Sequence, residues 1–167
     1  VLGLVVLIIR FVFRLRKAQE DGSLPENYKG LLNDYVKFYR QLDEDGKVNF
    51  EERVAHFLSA VKITGVNAVA EDLDVILIAA GAIIPVYAIP DWQYINLREV
   101  LLYPGTFNED FDQGGADRHI AGMVGTGPMQ DVMIITKWQL RQGFVNEHNT
   151  NNTAIHEFVH LIDKMDG

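Results

Sequence analysis

His156-Glu157-Phe158-Val159-His160 spell H-E-x-x-H near the end of the chain. Residues four apart on a helix share a face. His156 and His160 can therefore offer imidazole nitrogens to one cation, and neutral imidazole is a good zinc ligand. Glu157, beside the first histidine, can reach a water at the metal and act as general base, the metal lowering the pKa of that water towards about 7. The competing reading is a solvated helix with two incidental histidines.

A catalytic zinc takes three protein ligands and a water, so two histidines are not enough. Asp163 lies three residues after His160 and shares its face. It can coordinate, but a hydrogen bond to a histidine N–H that orients the ring is the more natural role. Glu147 and His148 precede the motif in a polar stretch and read as solvated, and His119 is a lone histidine near a turn. The third ligand is expected beyond Gly167. With Val1 in place of a starting Met, both ends read as cut, and the chain as a piece of a longer protein.

The motif needs a helix to carry it. Asn152 or Thr153 can cap that helix, and Ile155, Phe158, Val159 and Ile162 give it an apolar flank. Upstream, "FVNEHNTNN" (144–152) reads as a polar loop. "DVMIITKWQL" (131–140) reads as a strand leading into a helical turn, "RHIAGMVGTGP" (118–128) as a strand and a turn, and "REVLLYPGTF" (98–107) as a strand ended by Pro104-Gly105. Strand, loop and capped helix in that order suit a zincin, whose substrate lies along an edge strand. Gly125-Thr126-Gly127 has no following Lys-Ser or Lys-Thr and is no phosphate loop; it suits a strand rim that binds an extended peptide. "EDFDQGGADRH" (109–119) reads as a mobile polar insert, and Trp92 and Tyr94 as packing residues near a turn.

The first half reads as helical. Apolar residues recur at helical spacing from Tyr28 to Leu42 and again from Asn49 to Val61. Leu73 to Ile84 is apolar nearly all round, with Glu71, Asp72 and Asp74 at its start, where negative charge suits a helix N-terminus. The expected fold class is α+β: a helical N-terminal half, a small sheet, then the active-site helix.

Composition bounds the function. The chain has 167 residues, which suits one domain. Net charge is −8, which argues against nucleic acid, because phosphate contacts need clustered Lys and Arg. There is no cysteine, so disulfides and thiolate metal sites are excluded. "VLGLVVLIIRFVFRLRK" is apolar and then basic. It is too short alone to span a bilayer, which takes about 20 apolar residues. With a missing start it would serve as a membrane anchor, its basic flank on the cytoplasmic side. The expected organisation is an anchor remnant at 1–17, a linker at 18–30 and a catalytic domain at 31–167. The expected location is the cytoplasm or the cytoplasmic side of the inner membrane. A buried helix, or one lying at the membrane surface, is the alternative for 1–17.

A second motif competes. "QLDEDGKVNFEE" (41–52) resembles an EF-hand loop, with Gly46 at position six, Asp43 and Asp45 at three and five, and Glu52 at twelve. Gln41 stands at position one, where calcium sites take Asp, and Lys47 sits inside the loop. The plainer reading is a helix–turn–helix connection.

"ITGVNAVAEDLDVILIAAGAIIPV", "LREVLLYPGTF", "GMVGTGPMQDVMIITKWQLRQGF" and "NNTAIHEFVHLIDKMDG" follow one another in an order that resembles the Mlc titration factor A family of zinc-dependent peptidases, family M90. The resemblance covers roughly residues 41 to 167. It implies a gluzincin-type metallopeptidase whose catalytic region is similar to the anthrax lethal factor fold. By resemblance His156 and His160 are zinc ligands and Glu157 is the catalytic glutamate, with a third ligand, a Glu, well downstream. The implied partner is a peptide or protein substrate. A known member binds a glucose-responsive transcriptional repressor, but no residue here identifies that partner. The best-known members lack a clear membrane anchor, so residues 1–17 depart from that pattern. Two other classes stay open: a membrane-anchored regulatory protein with a non-catalytic zinc site, and calcium binding at 41–52.

Overall fold

The computed structural model describes residues 22–105, 122–124, 131–145 and 152–166; for 122–124, 165 and 166 only the backbone is described. Residues 1–17, the 109–119 insert, Gly125-Thr126-Gly127, His119, Glu147 and His148 lie outside the described residues. Among those described, no helix is long and apolar enough to cross a membrane.

The chain begins with short helices. Tyr28–Tyr35 forms α1 and Lys37–Arg40 forms α2. The sequence pattern predicts one helix over 28–42, but Val36 breaks it. Val36 is extended (φ −111°, ψ 94°) and fully buried. A β-branched residue is stiff in a helix, and here burial decides where its side chain goes. Arg40 then donates to the carbonyls of Asn33 (3.0 Å) and Asp34 (3.2 Å) and satisfies the end of α1.

Glu44–Ala60 forms α3. It starts five residues earlier than the apolar periodicity indicates and takes in most of the EF-hand-like stretch. Asp43 caps it, its Oδ1 accepting from the Gly46 N–H at 2.8 Å. Glu44 and Asp45 sit in the first turn, where the helix dipole favours them. Residues 44–52 are helical here, whereas the calcium alternative calls for a loop over 41–52 and the plainer reading for a turn between two helices. The acids that resembled ligands serve the helix start instead. Glu51, the neighbour of the supposed ligand Glu52, turns inward. It accepts from the Tyr39 hydroxyl (2.6 Å) and the Tyr28 hydroxyl (3.0 Å), and pairs with Lys29 (3.2 Å).

After β1 (Lys62–Gly65) the chain enters α4 (Asp72–Ile83), which runs into a 3-10 turn at Ile84–Val86. From Asp74 to Ile83 every residue of α4 is buried. A helix apolar all round must be enclosed, and α1 and α3 both pack on it. The strands β2 (Glu99–Tyr103), β3 (Gly122–Val124) and β4 (Val132–Thr136) follow, then α5 (Lys137–Val145) and α6 (Thr153–Asp166). The polar loop expected at 144–152 thus starts later, because Phe144 and Val145 are still helical. Both α5 and α6 close on α4.

The sheet has the order β1-β2-β4-β3. The first three strands are parallel, with Lys62 opposite Glu99 and Glu99 opposite Val132, while β3 runs antiparallel to β4, with Met123 opposite Ile134. The fold is α+β, as the sequence pattern indicates.

One close approach joins the middle of α4 to the start of α6. A Cβ on Gly81 would lie 2.9 Å from the Cβ of Ala154. Gly81→Val is therefore expected to destabilise the fold by about 1–3 kcal/mol through overpacking, read as a lowered Tm; an unchanged Tm would show that α6 can shift freely. Glu51 yields a second prediction. Burial raises its pKa, but hydrogen bonds from Tyr39, Lys29 and Tyr28 outweigh burial and leave it lowered. A lowered carboxylate pKa adds stability that is complete above the ordinary range and is lost as pH falls through the folded value. Glu51→Gln should be less stable than the parent at pH 7, and the gap should shrink below about pH 4. A gap independent of pH would refute this account of the cluster.

Candidate metal centre

The helix α6 begins where a cap can form. The Asn152 side-chain oxygen accepts from the Ile155 N–H at 3.2 Å, and its carbonyl accepts from the His156 N–H at 2.9 Å. Of the two caps the sequence allows, Asn152 is the one used. Gly143 on α5 leaves room for it: a Cβ there would come within 3.0 Å of the Asn152 side chain.

From the cap onward the helix has two faces. Ala154, Glu157, Phe158 and Leu161 are buried, at the spacing of one helical stripe. His156, Val159, His160 and Asp163 are exposed. Phe158 is fully buried and meets two rings. Its centroid lies 5.7 Å from that of Phe57 in an edge-on arrangement and 5.2 Å from that of Tyr94. The Tyr94 hydroxyl donates to the Ala82 carbonyl at 2.7 Å, which ties this cluster to the end of α4. Phe57 and Tyr94 are thus the residues that seat the motif helix. Tyr94 was legible only as packing near a turn, and nothing in local spacing linked Phe57 to the motif.

On the open face the two histidines converge. Their Nε2 atoms are 2.9 Å apart and their ring centroids 4.3 Å apart. Two imidazole nitrogens on one tetrahedral zinc, with Zn–N of about 2.0–2.1 Å, would be separated by about 3.3 Å. A change of a few tenths of an ångström opens the pair to that distance, so the donor set fits such a cation. Among the described residues no cluster of three or more His, Asp or Glu side chains is arranged to hold a metal. Asp163 is exposed on the same helix and makes no hydrogen bond to either histidine.

Glu157 differs from both neighbours. It is only 9% exposed, and no described residue donates a hydrogen bond to it. Burial raises its pKa, with His156, His160 and Lys164 opposing. A carboxylate so placed is a better proton acceptor than a solvated one.

Two further features place the helix. On one side α6 runs against β3, the outermost strand of the sheet, whose outer edge has no strand partner among the described residues. On the other, α5 is anchored by ion pairs to the start of α4. Asp74 is fully buried and receives Arg141 Nε at 2.7 Å and Lys137 Nζ at 3.2 Å. Lys137 also reaches Glu71 at 2.8 Å, and Arg141 pairs with Glu71 as well. These partners lie more than sixty residues apart in sequence, and only the negative half was legible as a helix start.

Residues 11–167 match the family described as Glucose-regulated metallo-peptidase M90. An uncharacterized protein of Synechocystis sp. is 25% identical over 159 residues, covering 86% of this chain and 54% of that protein. The chain thus spans about half the length of the curated relative it matches.

Removing the cap tests how the motif helix is held. Asn152→Ala should cost about 1 kcal/mol of stability. Thermal melting that showed no loss would mean that packing alone fixes the start of α6.

Proposed function

The chain belongs to the M90 family of metallopeptidases, and from that premise we propose that it carries the metal-binding and proton-transfer part of a zinc-dependent peptidase. The observation that supports this most is the convergence of His156 and His160 on the open face of a helix whose other face is locked, with Glu157 beside them. In this reading His156 and His160 hold Zn²⁺ through Nε2, and the third protein ligand comes from outside the described residues. When bound, the metal supplies Lewis-acid polarisation and lowers the pKa of water.

The remaining steps belong to the chain's own residues. The Glu157 carboxylate accepts a proton from the attacking water and returns it to the leaving amine nitrogen. Its burial keeps bulk water from competing for that carboxylate. Asp163 orients a histidine ring once the ring is held at the metal. An extended substrate adds along the outer edge of β3, which has no strand partner among the described residues, by pairing with its backbone N–H and C=O groups. Residues 1–17 are proposed to tether this domain at the cytoplasmic face of a membrane.

Metal content and hydrolysis of a peptide library by the full-length protein test the assignment. His160→Ala should lose the metal. Glu157→Gln should keep about one zinc per chain yet lose hydrolysis by a factor of about 10² or more. Cleavage that survived Glu157→Gln would remove the general base. Metal bound normally without cleavage in the parent would favour a non-catalytic zinc site.

A further inference from the structure

Phe158 stands two residues from each histidine of the motif. At about 100° per helical residue it projects about 180° from the line midway between His156 and His160. A shift of its ring therefore carries both imidazoles as one body. Their mutual spacing belongs to the helix. Their distance to a third ligand on another part of the chain depends on where the helix sits. Zinc holds its ligands within about 0.2 Å of their preferred distances, so a small displacement of α6 weakens the site.

Two contacts set that position, and both start from neighbouring residues of α4. Gly81 meets Ala154 directly, at a distance that leaves no room for a Cβ. Ala82 acts through Tyr94. Its carbonyl accepts from the Tyr94 hydroxyl at 2.7 Å, and the Tyr94 ring lies 5.2 Å from that of Phe158. Ala154 and Phe158 are one helical turn apart, so the two contacts fix both the depth and the tilt of α6. Close packing does not by itself hold Tyr94. Residues 87–98, which carry it, form neither helix nor strand. A cavity of about 430 Å³ lies between α3 and the segment 90–98, and both Phe57 and Tyr94 line it. Part of each ring thus has no protein packed against it. Phe57 stands on α3, whose backbone keeps it in place. For Tyr94 the fixed point is the hydroxyl.

We infer that Tyr94 is a positioning residue for the histidine pair: its hydroxyl, bonded to the Ala82 carbonyl, holds the ring on which Phe158 rests and so sets where His156 and His160 meet the metal. The inference rests on the reading that these two histidines hold Zn²⁺. The hydroxyl takes no part in the chemistry, because it is buried and tied to a backbone carbonyl of α4. Without that bond the ring relaxes into the cavity, and Phe158 follows it. A hydroxyl that served stability alone would change the melting temperature and leave the metal affinity of the folded protein as it was.

The test is the zinc affinity of the full-length protein, measured by competition with a chelator at a temperature where melting shows each variant folded. Tyr94→Phe keeps the ring and removes the bond. It should weaken zinc by about tenfold and shift the ligand-field bands of the Co²⁺-loaded protein, which report ligand geometry. Phe158→Leu removes the ring from the α6 side and should weaken zinc at least as much. Tyr39→Phe is the control. It removes a hydroxyl bond of 2.6 Å to Glu51 in the cluster that joins α1 to α3, and should lower Tm while zinc affinity stays the same. Zinc held as tightly by Tyr94→Phe or by Phe158→Leu as by the parent would overturn the positioning role. The metal assignment would then still stand, provided His160→Ala loses the metal. An equal loss of affinity in Tyr39→Phe would also defeat the inference, since it would show general loosening. A parent that binds no zinc would remove the metal assignment itself, and the inference with it.

Discussion

The structure depends on how the buried stripe of α6 is held. His156 and His160 point away from the core, and among the described residues each makes a side-chain hydrogen bond only to the other. Their position is inherited from Ala154 against Gly81 and from Phe158 between Phe57 and Tyr94. A side chain at position 81 would push the helix outward, and a smaller residue at 158 would leave a hole beneath the motif. Interiors are packed too tightly to absorb either change without moving the backbone. The spacing of the two imidazoles is therefore a consequence of packing on the far side of the helix.

Charge is handled in two ways. Most buried ionic groups are compensated: Asp74 by Arg141 and Lys137, and Glu51 by two tyrosines and a lysine. Removing one partner of such a pair leaves an uncompensated buried charge, which is the costly outcome. These clusters fasten α5 to α4 and α1 to α3. Glu157 is the contrast, buried and without a hydrogen-bond donor among the described residues. A group left in that condition while its counterparts elsewhere are satisfied is a candidate for chemistry, which agrees with the proton-transfer role proposed for it.

The elements themselves show where sequence reading succeeds and where it stops. The all-apolar helix near 73–84, the strands at 99–103 and 132–136, and the capped helix at 153 were legible because each carries its own periodicity and end signals. The start of α3 was not. Asp-Glu-Asp-Gly read as a turn, with a calcium loop as the alternative, and a helix N-terminus uses the same acids. What decided was Asp43 capping Gly46 and the inward turn of Glu51 toward Tyr28 and Tyr39, partners that local spacing does not reveal. The break at Val36 was hidden for a similar reason: the apolar period continues through it, and only the buried space that receives its side chain requires the chain to bend.

By itself the sequence determined the motif, the helix that carries it, a cap at Asn152 or Thr153 and the α+β class, because these follow from residue type and from neighbours three or four positions away. Tertiary structure decided which side of that helix is buried against what, that Glu157 is enclosed while both histidines are open, and that β3, an edge strand among the described residues, runs beside it. It also decided that Phe57 and Tyr94 seat α6 and that Asp74 and Arg141 fasten α5 to α4. The physical reason is distance along the chain. Close packing and desolvation act between surfaces brought together by folding, and a residue one hundred positions from its partner leaves no periodic trace of the contact.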